Sequence, residues 1–220
     1  MNNYTMETYE LKREFVNFSK KISKDLNKST SKFVMDMQYG IAKSKTCLIS
    51  NIARGLDENI KLNYTIERLC DNLTNLTDEE ITIINDNYIK EVKDLFDDEA
   101  IAIFDDSDIA KRYGKKFEDL DNVLDASSLK KEIVPRYHVC EAVVLTKKEK
   151  QPISLYSKIY SCKSENFISM NKYTKDSIDE VRSVLNRKCN MIFDRGYDDN
   201  KIIDYVDKNE DYFVIRINDD

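Results

Sequence analysis

One histidine, His138, stands in 220 residues. Histidine-based acid–base chemistry and Ser-His triads therefore have almost nothing to work with. His138 itself lies in an apolar, strand-like run and reads as a structural residue. Glycine is scarce too, at four residues, and neither a Walker loop nor a GxGxxG turn occurs, so phosphate-cradling loops are not expected. The five cysteines (Cys47, Cys70, Cys140, Cys162 and Cys189) are far apart and contain no CxxC pair. That spacing argues against zinc and disulfide frameworks and makes a reduced, cytoplasmic compartment the expected one. No signal peptide and no apolar run of transmembrane length is present, so no membrane is expected as a partner.

What is present is charge, unevenly spread. The formal net charge is −6. Residues 1–76 hold 12 Lys/Arg against 9 Asp/Glu, a balance of +3, which leaves −9 for residues 77–220. A basic first third ahead of an acidic remainder suits a DNA-contacting module joined to a carboxylate-bearing one. Ordinary scatter gives differences of the same size.

The apolar period is helical up to about residue 100. Leu11, Phe15, Phe18, Ile22 and Leu26 share one face of a first helix. Ser29-Thr30-Ser31 is the expected cap of a second, with Phe33, Val34, Met37 and Ile41 inward. A break at Ser44–Thr46 leads to a short helix over 47–56. This pair, joined through Lys43-Ser44-Lys45, has the outline of a helix-turn-helix; a plain packed pair fits as well. Tyr64–Leu76 gives a fourth helix, with Ile66, Leu69 and Leu73 inward. Thr77-Asp78-Glu79-Glu80 opens a fifth. The acidic junction Asp97-Asp98-Glu99 sets the expected boundary between a helical domain, 1–97, and a second domain, 98–220.

Beyond it the expected order is β-β-β-α-β-α-β, with strands over 100–104, 136–146, 152–161, 189–193 and 212–217 and helices over 175–188 and 199–210. The charged stretch 107–131, with Lys111, Arg112, Lys115 and Lys116, reads as a loop insertion or a solvated charge run. Two of the strands run straight into carboxylates: Ala100–Phe104 into Asp105-Asp106, and Met191-Ile192-Phe193 into Asp194. An aspartate there either caps the next turn or helix or stands at the carboxyl edge of a sheet, where α/β folds hold ligands. The expected fold class is α/β, with the helical domain followed by an incomplete ribonuclease H-like mixed sheet of five strands and flanking helices. In that layout the first and fourth strands are parallel neighbours, roughly 4.8 Å apart. Carboxylates at their ends could share divalent metals about 4 Å apart. Oxygen ligands point to Mg²⁺ or Mn²⁺.

The chain also resembles the DDE transposases of bacterial cut-and-paste insertion elements, in their insertion-sequence-four-like superfamily. The first aspartate of that family sits in an Asp-x-Ser/Thr-x-Leu/Ile pattern, which resembles Asp105-Asp106-Ser107-Asp108-Ile109. The second often opens Asp-Arg-x-x-Asp, which resembles Asp194-Arg195-Gly196-Tyr197-Asp198. Pro152–Ser157 and Tyr212–Ile217 are similar to the strands that flank these. Gly40–Lys45 with Ile52-Ala53-Arg54 is similar to the amino-terminal DNA-binding part. The resemblance implies catalytic and metal-binding roles for Asp105 and Asp194, with Asp106 as the alternative to Asp105. It implies DNA contacts for Lys43, Lys45, Arg54 and Arg195.

The implied partners are the element's double-stranded ends and target DNA, with a homodimer in the DNA complex. The implied activity is metal-dependent cleavage and strand transfer. The family's third carboxylate, a Glu on a helix after the last strand, has no match here, because the chain ends at Asp220. The expectation is a fragment or truncated copy that does not cut DNA by itself. The competing readings are a non-catalytic DNA-binding or transposition-inhibiting protein, and an unrelated metal-dependent nuclease drawing a further acidic ligand from within residues 1–220.

Overall fold

The computed structural model describes residues 3–114, 116–124 and 133–216. A helical region precedes a mixed sheet with flanking helices, an α/β arrangement. The helices are α1 (Asn3–Ile22), α2 (Lys28–Ser44), α3 (Ile49–Leu56), α4 (Leu62–Thr74) and α5 (Asp78–Val92). Two compact units divide between Glu91 and Val92. The division falls ahead of the acidic junction for a visible reason. Val92, Phe96 and Ala100 are buried, and the turn between them is held by the second unit, where Lys147 donates to Leu95 O through its backbone N–H and to Asp94 O through Nζ, both at 2.9 Å.

In the helical unit, Phe33, Ile52, Ala53 and Leu69 form a buried cluster, with Met37, Ile49, Leu56, Leu62, Ile66 and Leu76 packed on it. Asn27, rather than Ser29–Ser31, caps α2: its Oδ1 accepts from the Ser29 and Thr30 N–H groups at 2.9 and 3.0 Å. The Thr77–Glu80 capping box of α5 forms as expected, with reciprocal bonds of 3.2 Å. Ile41 and Leu73, expected inward, are exposed, because α2 and α4 turn narrower faces to the cluster than their full apolar stripes.

Helices α2 and α3 cross at Gly40. A Cβ there would lie 2.4 Å from Ile52 Cγ2 and 3.2 Å from the Ile52 carbonyl oxygen. Gly40→Ala is therefore expected to cost about 1–3 kcal/mol as an overpacking substitution, read as a lowered denaturant midpoint; an unchanged midpoint would contradict the close crossing.

The second unit contains β1 (Ile101–Ala110), β2 (Asp121–Leu124), β3 (Ile133–Leu145), β4 (Pro152–Tyr160), α6 (Met170–Leu185), β5 (Asn190–Phe193), α7 (Asn200–Lys208) and β6 (Tyr212–Ile215). The sheet runs β2-β3-β1-β5-β6, with β4 also on β3. Strands β1, β3 and β4 are antiparallel, while β1, β5 and β6 are parallel. The first and fourth expected strands are thus parallel neighbours, the order and sense of a ribonuclease H-like sheet.

Two expectations change. Among the described residues the sheet has six strands, because the stretch 107–131 contains β2, which pairs with Ile133–Arg136 of β3. Strand β1 also continues through Asp105 to Ala110, since β3 is long enough to pair with it as far as Arg136. Lys115 and Ile217 lie outside the described residues.

Helices α6 and α7 cover one face. Ala102, Phe104, Cys140, Ala142, Val144, Met191 and Phe193 point into it and meet Ile178, Val181, Ile202 and Val206, all buried. Phe104 and Phe193 stack across the parallel pair at 4.6 Å. No helix among the described residues is long and apolar enough to cross a membrane.

Candidate metal and nucleic-acid site

Side chains of a strand alternate between faces. Phe104 is in register with Phe193, and both point under the helices. The residues that follow, Asp105 and Asp194, therefore turn together to the opposite face, where both are exposed. Partial burial raises the Asp105 carboxyl above its ordinary pKa, and the negative charge of Asp194 raises it further.

Asp194 is also a cap. Its Oδ1 accepts from the Arg195 N–H at 2.5 Å and starts the 3₁₀ turn Arg195–Tyr197. The capping and carboxylate-edge readings of this residue are compatible, because the cap uses one oxygen. The cap of α7 is Asp199, which accepts from Lys201 N–H at 2.7 Å. Arg195 is exposed beside Asp194.

Glu141 was missed. It pairs with Asp105 across β1 and β3, on the same face as Asp194, and accepts a hydrogen bond from the Ser154 hydroxyl. Only the register of a strand pair exposes it; nothing in the local sequence marks it. No third His, Cys, Asp or Glu among the described residues joins Asp105 and Asp194 in a cluster with ligand atoms within 4.8 Å of one another.

Asp106, the alternative first ligand, faces the other way. It is opposite Cys140, and its Oδ1 is buried with no hydrogen bond, as are the Tyr160 and Tyr197 hydroxyls. Burial raises its pKa and the Asp105 charge adds to this, while the Cys140 thiol and His138 pull it down. A carboxyl whose folded pKa exceeds its unfolded one penalises folding once pH rises past the unfolded value near 4. Asp106→Asn is therefore expected to melt higher than the parent at neutral pH, with the gap closing below about pH 4. A variant that melts lower at neutral pH would show that the charge is needed for folding.

Lys43, Lys45 and Arg54 gather at the α2–α3 corner and are exposed. Lys45 caps α2 in the left-handed region at φ 54°, which turns the chain into α3. Lys43 Nζ lies 5.7 Å from the Tyr39 ring centre, and Arg54 donates to Asn51 Oδ1 at 2.9 Å within its own helix. Two other cations of this unit, Lys32 and Arg68, are spent internally. Arg68 bridges Asp36 at 2.7 Å and Glu58 at 2.9 Å, and Lys32 reaches Asp36 at 2.5 Å. No protein-family model matches the chain, and no curated protein matches it.

Proposed function

We propose that the chain is a DNA-binding protein of the DDE transposase type, with Asp105 and Asp194 as ligands for Mg²⁺ or Mn²⁺ and the α2–α3 corner as a phosphate-contacting surface. The observation that carries this reading is the Asp105–Asp194 pair on one face of the sheet, Asp105 within β1 and Asp194 just past the end of its parallel neighbour β5. Oxygen-only ligation suits a hard divalent cation. A metal between the carboxylates would leave coordination positions for a phosphate oxygen, the arrangement used in metal-assisted phosphoryl transfer. Arg195, beside the pair, would take a second phosphate oxygen.

A non-catalytic DNA-binding reading has its own support, since the described residues bring no third ligand up to the pair. Both readings share the DNA surface and differ at the carboxylates. In fluorescence-anisotropy titrations, Mn²⁺ should strengthen DNA binding by the parent and leave Asp105→Asn and Asp194→Asn unaffected. An equal Mn²⁺ response in all three would remove the metal role and leave the DNA-binding reading.

A further inference from the structure

We infer that Asp121, His138 and Cys162 form a zinc-binding site on the helix-covered face of the sheet, distinct from the Asp105–Asp194 pair. One ligand atom from each lies within 4.8 Å of the other two. These residues are far apart in sequence and meet because β2 and β4 both abut β3. Asp121 is the first residue of β2 and pairs with Arg136, two residues from His138 on the same face. Tyr160 of β4 pairs with His138, and Cys162 follows it by two. The turn before β2 is tied to this corner: the Ser161 hydroxyl donates to Asp119 O, and Lys163 Nζ donates to Leu120 O at 2.9 Å.

The histidine is already oriented as a ligand. Its Nδ1 lies 3.0 Å from Asp108 Oδ1, which fixes the proton on Nδ1 and leaves the Nε2 lone pair for the ion, the usual outer-shell support of a metal-bound histidine. Arg136 pairs with Asp108 in turn. Nε2 lies 3.7 Å from Asp121 Oδ2. That is too long for a hydrogen bond. It is close to the separation of about 3.3–3.6 Å that two ligands on one tetrahedral zinc adopt, given bond lengths of 2.0–2.3 Å. His138 also stacks on Tyr160 at 5.2 Å, which limits its rotation.

A sulfur, an imidazole nitrogen and a carboxylate oxygen suit borderline-soft Zn²⁺ better than Mg²⁺ or Mn²⁺. A water would complete the tetrahedron. On binding, the Cys162 S–H proton would leave to solvent and the thiolate coordinate, beside Nε2 of His138 and a carboxylate oxygen of Asp121. Because coordination releases that proton, affinity rises with pH. The ion would clasp β2 to the β3–β4 edge.

The test uses the full chain, stripped of metal, titrated with Co²⁺ as an optical probe and then with Zn²⁺ in competition. The expected result is one ion per chain, with a thiolate-to-cobalt charge-transfer band and a zinc-dependent rise in melting temperature. Cys162→Ser, at an exposed position, should fold, lose the band and bind Zn²⁺ at least about tenfold more weakly; Asp108→Asn should lose about tenfold as an outer-shell change. Cys47→Ser, in the helical unit, should behave as the parent. A parent without the charge-transfer band, or a Cys162→Ser variant with parental zinc affinity, would overturn the site. Neither result bears on Asp105 and Asp194.

Discussion

Replacing Lys43, Lys45 and Arg54 together by alanine should flatten the salt dependence of DNA binding by the full chain. Each phosphate neutralised contributes about −0.9 to the slope of log affinity against log salt. Loss of three contacts should therefore make the slope shallower by about 2.7. Between 50 and 200 mM salt the parent should lose about 40-fold more affinity than the triple variant. The three side chains are exposed at one corner, while Lys32 and Arg68 are held by Asp36 and Glu58. The variant should keep its fold, because none of the three belongs to the buried cluster of this unit. Equal slopes in parent and variant, or binding that ignores salt, would make the α2–α3 pair a packing module only.

The second large effect concerns cleavage. DNA incubated with the full chain and Mg²⁺ or Mn²⁺ should be nicked no faster than with Asp194→Ala. Mg²⁺ demands near-octahedral oxygen ligation and dehydrates reluctantly. Two carboxylates, joined by no third ligand among the described residues, would hold it loosely, and a misplacement of about 1 Å already costs on the order of a hundredfold in rate. Glu141 is the one acidic residue in register with Asp105 on that face, and Ser154 now holds it. Metal-dependent nicking that disappears in both Asp194→Ala and Glu141→Gln would show that Glu141 supplies the missing ligand, which is the nuclease reading of the fold.

Much of the architecture was legible because it is written in local periodicity. The change from helical to strand spacing near residue 100 separates α5 from β1, and Thr77–Glu80 announces its own cap. The apolar runs ending in Asp105 and Asp194 mark two strands that prove to be parallel neighbours. What was hidden depends on pairing between distant segments. The strand β2 is only four residues long, sits in a charged stretch, and exists because the start of β3 offers a free edge. Which of Asp105 and Asp106 shares a face with Asp194 is a matter of strand phase, fixed by the register of Phe104 with Phe193. Cys162 has no cysteine partner in its neighbourhood, and His138 looked like an apolar strand residue. Only the convergence of β2, β3 and β4 sets them beside Asp121. The cap of α2 was misplaced by two residues because Asn27 and Ser29 are both good caps, and only the backbone at Asn27 is extended, with φ −64° and ψ 162°.

The most direct test of the central claim is Mn²⁺ binding followed by electron paramagnetic resonance, in the parent, Asp194→Asn, Asp106→Asn and Cys162→Ser. The pair on the open face predicts that Asp194→Asn loses bound Mn²⁺, while Asp106→Asn and Cys162→Ser retain it. Parental occupancy in Asp194→Asn, or loss in Asp106→Asn alone, would contradict the assignment of Asp105 and Asp194 as the metal pair.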